Sequence, residues 1–369
     1  MIFIKRELTV HIMEKAISEA GRSYNGIDII KFIMSIFMVI IHAKPLLEIS
    51  YWGNYALTYG ITRVTVPFFF IASGFLLFKK MSLYDIDVKK IKKYIYHIFR
   101  LYMIWTVIYL PIIFWEVHKN ENGILHGIII AIRNTIMAGS YFQLWFLNAL
   151  IVSAILISLF LWLKINIKKI FVFTIFMYII ALLGQSYYGI FDYLFPEGST
   201  MFTIWKYIGI VFRTPRNGLC FGALFFFLGA YISRSKDIIS IKKTIVCLLI
   251  SCILLMVEVI GGKYFNITRE ADVYISLIPV AYFLFLFAKN ISIRDSPLWV
   301  YLRKQSMFIF YIHAWWLFLV YILFRGRYAI VQLNSFQRFV IVLSLSVITS
   351  HIIIKLSEKK RFSFLRYLS

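Results

Sequence analysis

Two ionisable side chains stand eleven residues apart in the first long apolar segment, Lys31 in GIDIIKF and His42 in VIIHAKP. Eleven residues make almost three α-helical turns, so on a helix both leave the same face, roughly 16 Å apart along the axis. Charged and titratable groups are costly in hydrocarbon, and a spanning helix that keeps them turns them toward a polar cavity or a partner. An imidazole titrates near neutral pH, so it can exchange protons under physiological conditions. This face is where chemistry is expected. Asp28, three residues before Lys31, offers a plainer reading in which it pairs with the lysine and makes it structural.

The helix bearing this face belongs to a membrane protein. The 369 residues are 61% hydrophobic and 19% aromatic, and their mean hydropathy is +0.80, well above that of a soluble domain. A net charge of +23 raises the question of nucleic acid, but the Lys and Arg residues fall in short clusters between apolar runs rather than along one soluble face. Nucleic acid is therefore not an expected partner; membrane lipid is. Cys220, Cys247 and Cys252 lie inside apolar segments without metal-ligand spacing, which argues against a disulfide framework or a metal site and for small packing residues.

Residues 1–25 carry charges and no cleavage-like end, so a cytoplasmic segment, partly amphipathic, is expected there, followed by a retained helix. Apolar stretches recur at about 27–47, 59–78, 93–115, 143–163, 168–188, 217–233, 243–261, 271–288, 305–324 and 336–355. Each is near the ~20 residues that cross a bilayer. Gly123 to Ala138, with His126, Arg133 and Asn134, reads as a partly amphipathic helix on the outer surface. Lys and Arg concentrate strongly in the connections on the N-terminal side, so both ends are expected in the cytoplasm. The fold expected is an all-α integral membrane protein of about ten transmembrane helices around a polar cavity. Its membrane domain spans 26–356, and a basic cytoplasmic tail occupies 357–369.

Several strings, in order, resemble the acyltransferase-3 family of bacterial integral membrane acyltransferases. GIDIIKFIMSIFMVIIHAKP is similar to the family's first helix, with Lys31 in the place usually held by Arg and His42 in the histidine place. RVTVPFFFIASGFLL resembles the second helix, and YFQLWFLNAL the Leu-Trp-Phe-Leu signature. RTPRNGLCFGALFFFLGAYI and SMFIFYIHAWW resemble two later strings. The Arg-Asn-Gly-Leu and Val-Pro-Phe-Phe-Phe strings are most similar to the membrane half of vancomycin-resistance-type serine racemases. The sequence ends at Ser369 with neither a racemase nor an esterase-like domain, so the single-module form is expected, without racemisation. Where the family often has Arg-x-x-Arg at the third helix, this chain has His97-Ile98-Phe99-Arg100.

The resemblance implies transfer of an acyl group, acetyl above all, from cytoplasmic acyl-CoA to a hydroxyl of an extracytoplasmic glycan or lipid-linked sugar, without a metal. It places the protein as a multi-pass protein of the bacterial plasma membrane. His42 would be the base that takes the hydroxyl proton, and Arg63 would stabilise the oxyanion or orient His42. Lys31, Lys93, His97 and Arg100 would supply cations for the donor's phosphates, with Ser73 at their depth in the channel. Trp145, Arg213, Arg216, Glu258 and His313 are candidates for the acceptor side. Arg213 and Arg216 could contact acceptor or lipid phosphate, whereas Trp145 is also placed as an interfacial anchor. Glu48 is a second candidate acid, and His351, with no motif around it, reads as structural. Two other readings stand beside acyl transfer. The racemase-like strings allow a transporter of a small amino acid such as L-serine, and the replaced basic positions allow a binding-only protein.

Overall fold

The computed structural model describes residues 24–79, 81, 86–235, 239–269, 271–325 and 332–369. Most of the segment expected at 1–25 lies outside the described residues. Every regular element among the described residues is helical.

Helix α1 (Asn25–Ala43) carries Lys31 and His42. It stops because Lys44 takes a left-handed conformation, its N–H bonded to the Ile40 carbonyl, and Pro45 cannot continue the helix. The second apolar stretch enters in a broken form. Helix α2 (Tyr51–Tyr59) ends at Gly60, a 3₁₀ turn (Ile61–Val64) carries Arg63, and α3 (Thr65–Phe78) follows. The 3₁₀ turn thus carries Arg63 inside what is otherwise one apolar run from Tyr51 to Phe78. Helix α4 (Val88–His118) is capped by Asp87, whose side chain accepts from the Lys90 N–H.

Helix α5 (Ile124–Met137) buries only Gly127 and leaves its apolar side chains exposed, among them Leu125, Ile129 and Ile136. An unburied apolar face beside polar residues is that of a helix lying at a membrane surface. Helices α6 (Trp145–Trp162) and α7 (Ile167–Leu183) follow, and α7 turns by 84° into the short α8 (Tyr188–Leu194). Helix α9 (Thr200–Phe212) contains no buried residue among those described. A π turn (Gly218–Gly222) leads into α10 (Ala223–Ile232). The remaining long elements are α11 (Ile241–Tyr264), α12 (Leu277–Asn290), α13 (Pro297–Arg325) and α14 (Ser335–Glu358), and a 3₁₀ segment (Lys360–Leu368) closes the chain.

Each of the ten apolar stretches read from the sequence contains helix, although 59–78 is interrupted by the 3₁₀ turn and 271–288 begins in a loop. Among the described residues, seven helical segments are long and apolar enough to cross a membrane alone, and eight if the bent pair is one span. Gly218–Ile232 and Leu277–Asn290 are shorter apolar helices. This is a multi-pass membrane protein.

Two glycines set the centre of the bundle. A Cβ on Gly74 of α3 would collide with the Phe226 carbonyl of α10, and one on Gly229 of α10 would collide with the Ile71 carbonyl of α3. Only glycine permits this backbone-to-backbone approach, the usual device for holding helices together where lipid gives no hydrophobic drive. Around this pair Phe68, Phe70, Phe75, Phe226 and Phe285 are fully or almost fully buried. Helix α1 packs along α13, which brings residues 42 and 313 to the same end.

Candidate active site

At one end of α1 the His42 ring stacks on that of His313, with centroids 5.4 Å apart and planes at 22°, and lies 4.5 Å from the Phe142 ring. His313 is fully buried, and its Nδ1 is 3.1 Å from the Ile309 carbonyl oxygen. A carbonyl only accepts, so Nδ1 carries the proton and the neutral ring turns the lone pair of Nε2 the other way. That Nε2 is buried and has no partner among the described residues. The same holds for both side-chain polar atoms of Gln143, which is 1% exposed. Buried polar atoms are nearly always bonded, so an open Nε2 on the ring stacked against His42 marks this end of the helix as unusual.

Phe142 and Gln143 sit on the turn joining α5 to α6. Gly139, at φ +93°, makes the turn, and a Cβ there would strike the Trp145 backbone. Helix α4 then pins the loop, since the Tyr102 hydroxyl accepts from the Ser140 N–H and Thr106 meets the Ser140 hydroxyl at 2.7 Å. Phe142 also lines a polar cavity of about 510 Å³. Its other walls include Glu116, Asn134, Tyr141, Trp145, Arg213 and Arg216. Phe142 therefore touches both this cavity and the His42 ring.

A charged clamp borders the same end. Asp272, in the loop between α11 and α12, is held by Arg63 and Arg216 at once. Arg63 further donates from Nε to the Thr58 carbonyl at 3.1 Å and lies over the Tyr59 ring, while Arg216 lies over the Trp145 ring at 4.8 Å. Burial alone would raise the Asp272 carboxyl, but the Arg216 and Arg63 guanidinium groups outweigh it and hold the carboxyl below the usual carboxylate range. Two cations on one carboxylate leave a net positive charge, which acts on His42 through space because no hydrogen bond joins Arg63 to it among the described residues.

The expected outer acids are engaged elsewhere. Glu258 accepts from the Tyr187 hydroxyl at 2.7 Å and from the N–H groups of Ile275 and Ser276 at 2.6 and 2.8 Å, so it fastens the entry to α12. It lines none of the cavities described. Glu48 accepts from the Ser335 N–H at 2.6 Å and fastens the start of α14 in the same way. His351 meets the Tyr301 hydroxyl at 2.7 Å, a structural bond between α14 and α13.

The other end of α1 gathers cations. Asp28 pairs with Arg303, at 3.1 Å from both Nε and a terminal nitrogen, rather than with Lys31 alone. No carboxylate lies within ion-pair distance of Lys31 among the described residues, although Asp28, Arg303 and Lys79 are near enough to act on it electrostatically. On α4, Arg100 reaches His97 Nδ1 at 3.2 Å and lies over the Tyr367 ring of the 3₁₀ tail. The Tyr94 hydroxyl lies beside Ser73. Lys93 is exposed, and among the described residues no ion pair holds it.

The site thus brings together His42, His313, Arg63, Arg216, Trp145 and Arg213 at one end, and leaves Glu258 outside. Sequence reasoning missed Asp272, Glu116, Phe142, Gln143 and Arg303. Phe142 and Gln143 are legible only as neighbours of the Leu-Trp-Phe-Leu signature, and Asp272 has no local signal at all.

Residues 24–355, which hold both ends of α1 and the His42, His313 and Asp272 groupings, match the family model described as an acyltransferase domain. The chain belongs to the acyltransferase-3 family. It is 32% identical over 265 residues to an amino-acid racemase of Enterococcus faecalis, covering 72% of this chain and 36% of that protein. A second amino-acid racemase of Enterococcus faecalis is 26% identical over 347 residues, covering 92% of this chain and 47% of the relative. A serine/alanine racemase of Enterococcus gallinarum is 26% identical over 294 residues, covering 79% and 40%. The chain spans less than half the length of these curated relatives. No solved structure matches it. The family and the racemase-like flavour read from the ordered strings are both upheld, and the matched relatives are named as racemases, not as transporters.

Proposed function

We propose that this acyltransferase-3 protein moves an acetyl group from cytoplasmic acetyl-CoA to a hydroxyl of a cell-surface glycan or lipid-linked sugar. The observation that carries the reading is the placement of His42, stacked on a buried His313 and packed against Phe142, which lines a polar cavity, with Lys31 on the same helix toward a second cationic cluster.

The donor's phosphates would lie among Lys31, Arg303, His97 and Arg100, and the pantetheine arm would extend along α1 toward His42. The acceptor would enter the cavity bounded by Glu116, Trp145 and Arg216. His42 takes the hydroxyl proton as the oxygen attacks the thioester carbonyl; the carbon–sulfur bond then breaks and the proton passes to the leaving thiolate. The net positive charge of the Arg63–Asp272–Arg216 clamp favours the oxyanion between these events. Ten crossings with both ends in the cytoplasm fit the reading, because they set the Lys31 end toward cytoplasmic donor. A bacterial plasma membrane fits as well, since the matched relatives are enterococcal.

The test is binding and turnover of radiolabelled acetyl-CoA by purified protein in nanodiscs, compared with His42→Ala and Lys31→Ala. Donor binding that weakens without Lys31, and transfer or hydrolysis that stops without His42, is the expected result. Well-folded protein that binds no acetyl-CoA but accumulates labelled L-serine in vesicles overturns it in favour of transport.

A further inference from the structure

Beside the polar cavity, on the same end of the bundle, lies a second cavity of about 590 Å³ that the reaction scheme above does not use. It opens between α7, the bend after it and α9. We infer that it binds a phosphate-headed membrane lipid.

Three kinds of observation converge. The first is position. Helix α9 buries none of its described residues and exposes Met201, Ile204 and Ile208, as a helix lying in the membrane interface does, so a cavity beneath it is reached from lipid. The second is charge. Lys206, Arg213 and Arg269 line the cavity against a single carboxylate, Glu197. The Arg269 guanidinium is held over the Tyr188 ring at 4.4 Å, which fixes its plane for oxygen recognition. Met177, Ile180, Phe202 and Trp205 supply apolar wall for a chain. A soluble anion has no use for that wall, and a neutral lipid has no use for the cations.

The third is an open polar group. Gln185 lines the cavity, is 2% exposed, and donates from Nε2 to the Thr214 hydroxyl at 3.0 Å; its Oε1 is buried without a partner among the described residues. The Thr214 oxygen also accepts from the Arg216 N–H at 3.1 Å. Gln185 thus brings an unsatisfied amide to the wall of the cavity, one that a small rearrangement on lipid binding would satisfy.

Arg213 and Thr214 border both cavities, and the Arg213 backbone is held at φ 60°. A lipid head in the second cavity is then one stretch of backbone away from the compartment beside His42. Its service as carrier of the acceptor hydroxyl rests on the acyl-transfer reading; its binding does not.

The experiment titrates the full chain, in a neutral detergent, with tritiated farnesyl phosphate, and repeats it with farnesol, inorganic phosphate and dioctanoyl phosphatidylglycerol as competitors. Saturable binding of farnesyl phosphate is expected, with farnesol and inorganic phosphate competing about tenfold or more weakly. Arg213→Gln and Arg269→Gln should each weaken it about tenfold, the loss of one charge-assisted contact. Lys206→Gln, on the exposed surface of α9, should weaken it in the same direction and disturbs no packing if an arginine variant fails to fold. Strong competition by phosphatidylglycerol identifies bilayer lipid as the occupant, and weak competition identifies an isoprenyl carrier; both uphold the site. Equal competition by farnesol or by inorganic phosphate, or binding indifferent to all three substitutions, overturns it. A protein that binds the lipid but transfers no acetyl refutes the proposed reaction alone, and one that transfers acetyl without binding it refutes this site alone.

Discussion

The two ends of α1 hold their charges in different ways. At the His42 end, two cations are fixed together: Arg63 and Arg216 share Asp272, and both lie on aromatic rings. At the Lys31 end, Arg303 takes the Asp28 carboxylate, and among the described residues Lys31 is left with through-space interactions only. A fixed clamp suits one reaction geometry, where dipoles must be in place before charge develops. Flexible lysines suit phosphate groups, whose position need be held only loosely. The contrast fits the proposed reaction, with chemistry at one end of the helix and capture at the other.

The comparison breaks most readily at His42. His42→Ala should lower acetyl transfer by about 10²- to 10⁴-fold, the usual worth of a positioned base, while acetyl-CoA binding measured by equilibrium dialysis stays near wild type. Loss of binding in step with transfer would erase the division between the ends. Next comes Asp272→Asn, which leaves two guanidinium groups facing each other without a carboxylate. A loss of about 3–5 kcal/mol is expected, read as a lowered thermal midpoint in detergent, whereas unchanged melting would mean the clamp contributes nothing. Lys31→Ala should raise the KM for acetyl-CoA about tenfold with kcat little changed, and Lys31→Arg should restore it. Failure of arginine to rescue would point to packing rather than charge. The smallest effect is reserved for Glu258→Gln, about 1–2 kcal/mol of stability with kcat intact, since the carboxylate fastens backbone N–H groups. A pH series sharpens the clamp. A carboxyl held below its ordinary 3.8 stabilises the fold above that value and loses the contribution as pH falls through the lowered one, so wild type and Asp272→Asn should converge in stability only in strong acid.

The helices were legible in the sequence because a bilayer imposes length and apolarity on each crossing, and these are one-dimensional properties. Lys31 and His42 were legible for the same reason: one helix relates them by a fixed rise. Asp272 was not, because its partners Arg63 and Arg216 reach it from distant elements and the residue itself sits in a loop with no period. Glu258 shows the converse error. A carboxylate near a helix end reads alike whether it faces an acceptor or fastens the next helix, and only the positions of Ile275 and Ser276 decide. The break at Gly60 was also hidden, since the apolar run continues through it. The polar atoms of Gln143 and His313 Nε2 could not be known as open from a list of residue types.

The close seating of Gly74 against Phe226 and of Gly229 against Ile71 has a mechanical meaning. Two helices in register at the level of their carbonyls cannot slide or roll without driving backbone into backbone, so α3 and α10 behave as one beam. Ser73, beside the cationic end, and Arg63, at the clamp, are mounted on or next to that beam. Their separation acts as a ruler of constant length, and in the proposed reaction an acyl arm of the wrong length would deliver its carbonyl short of His42 or past it.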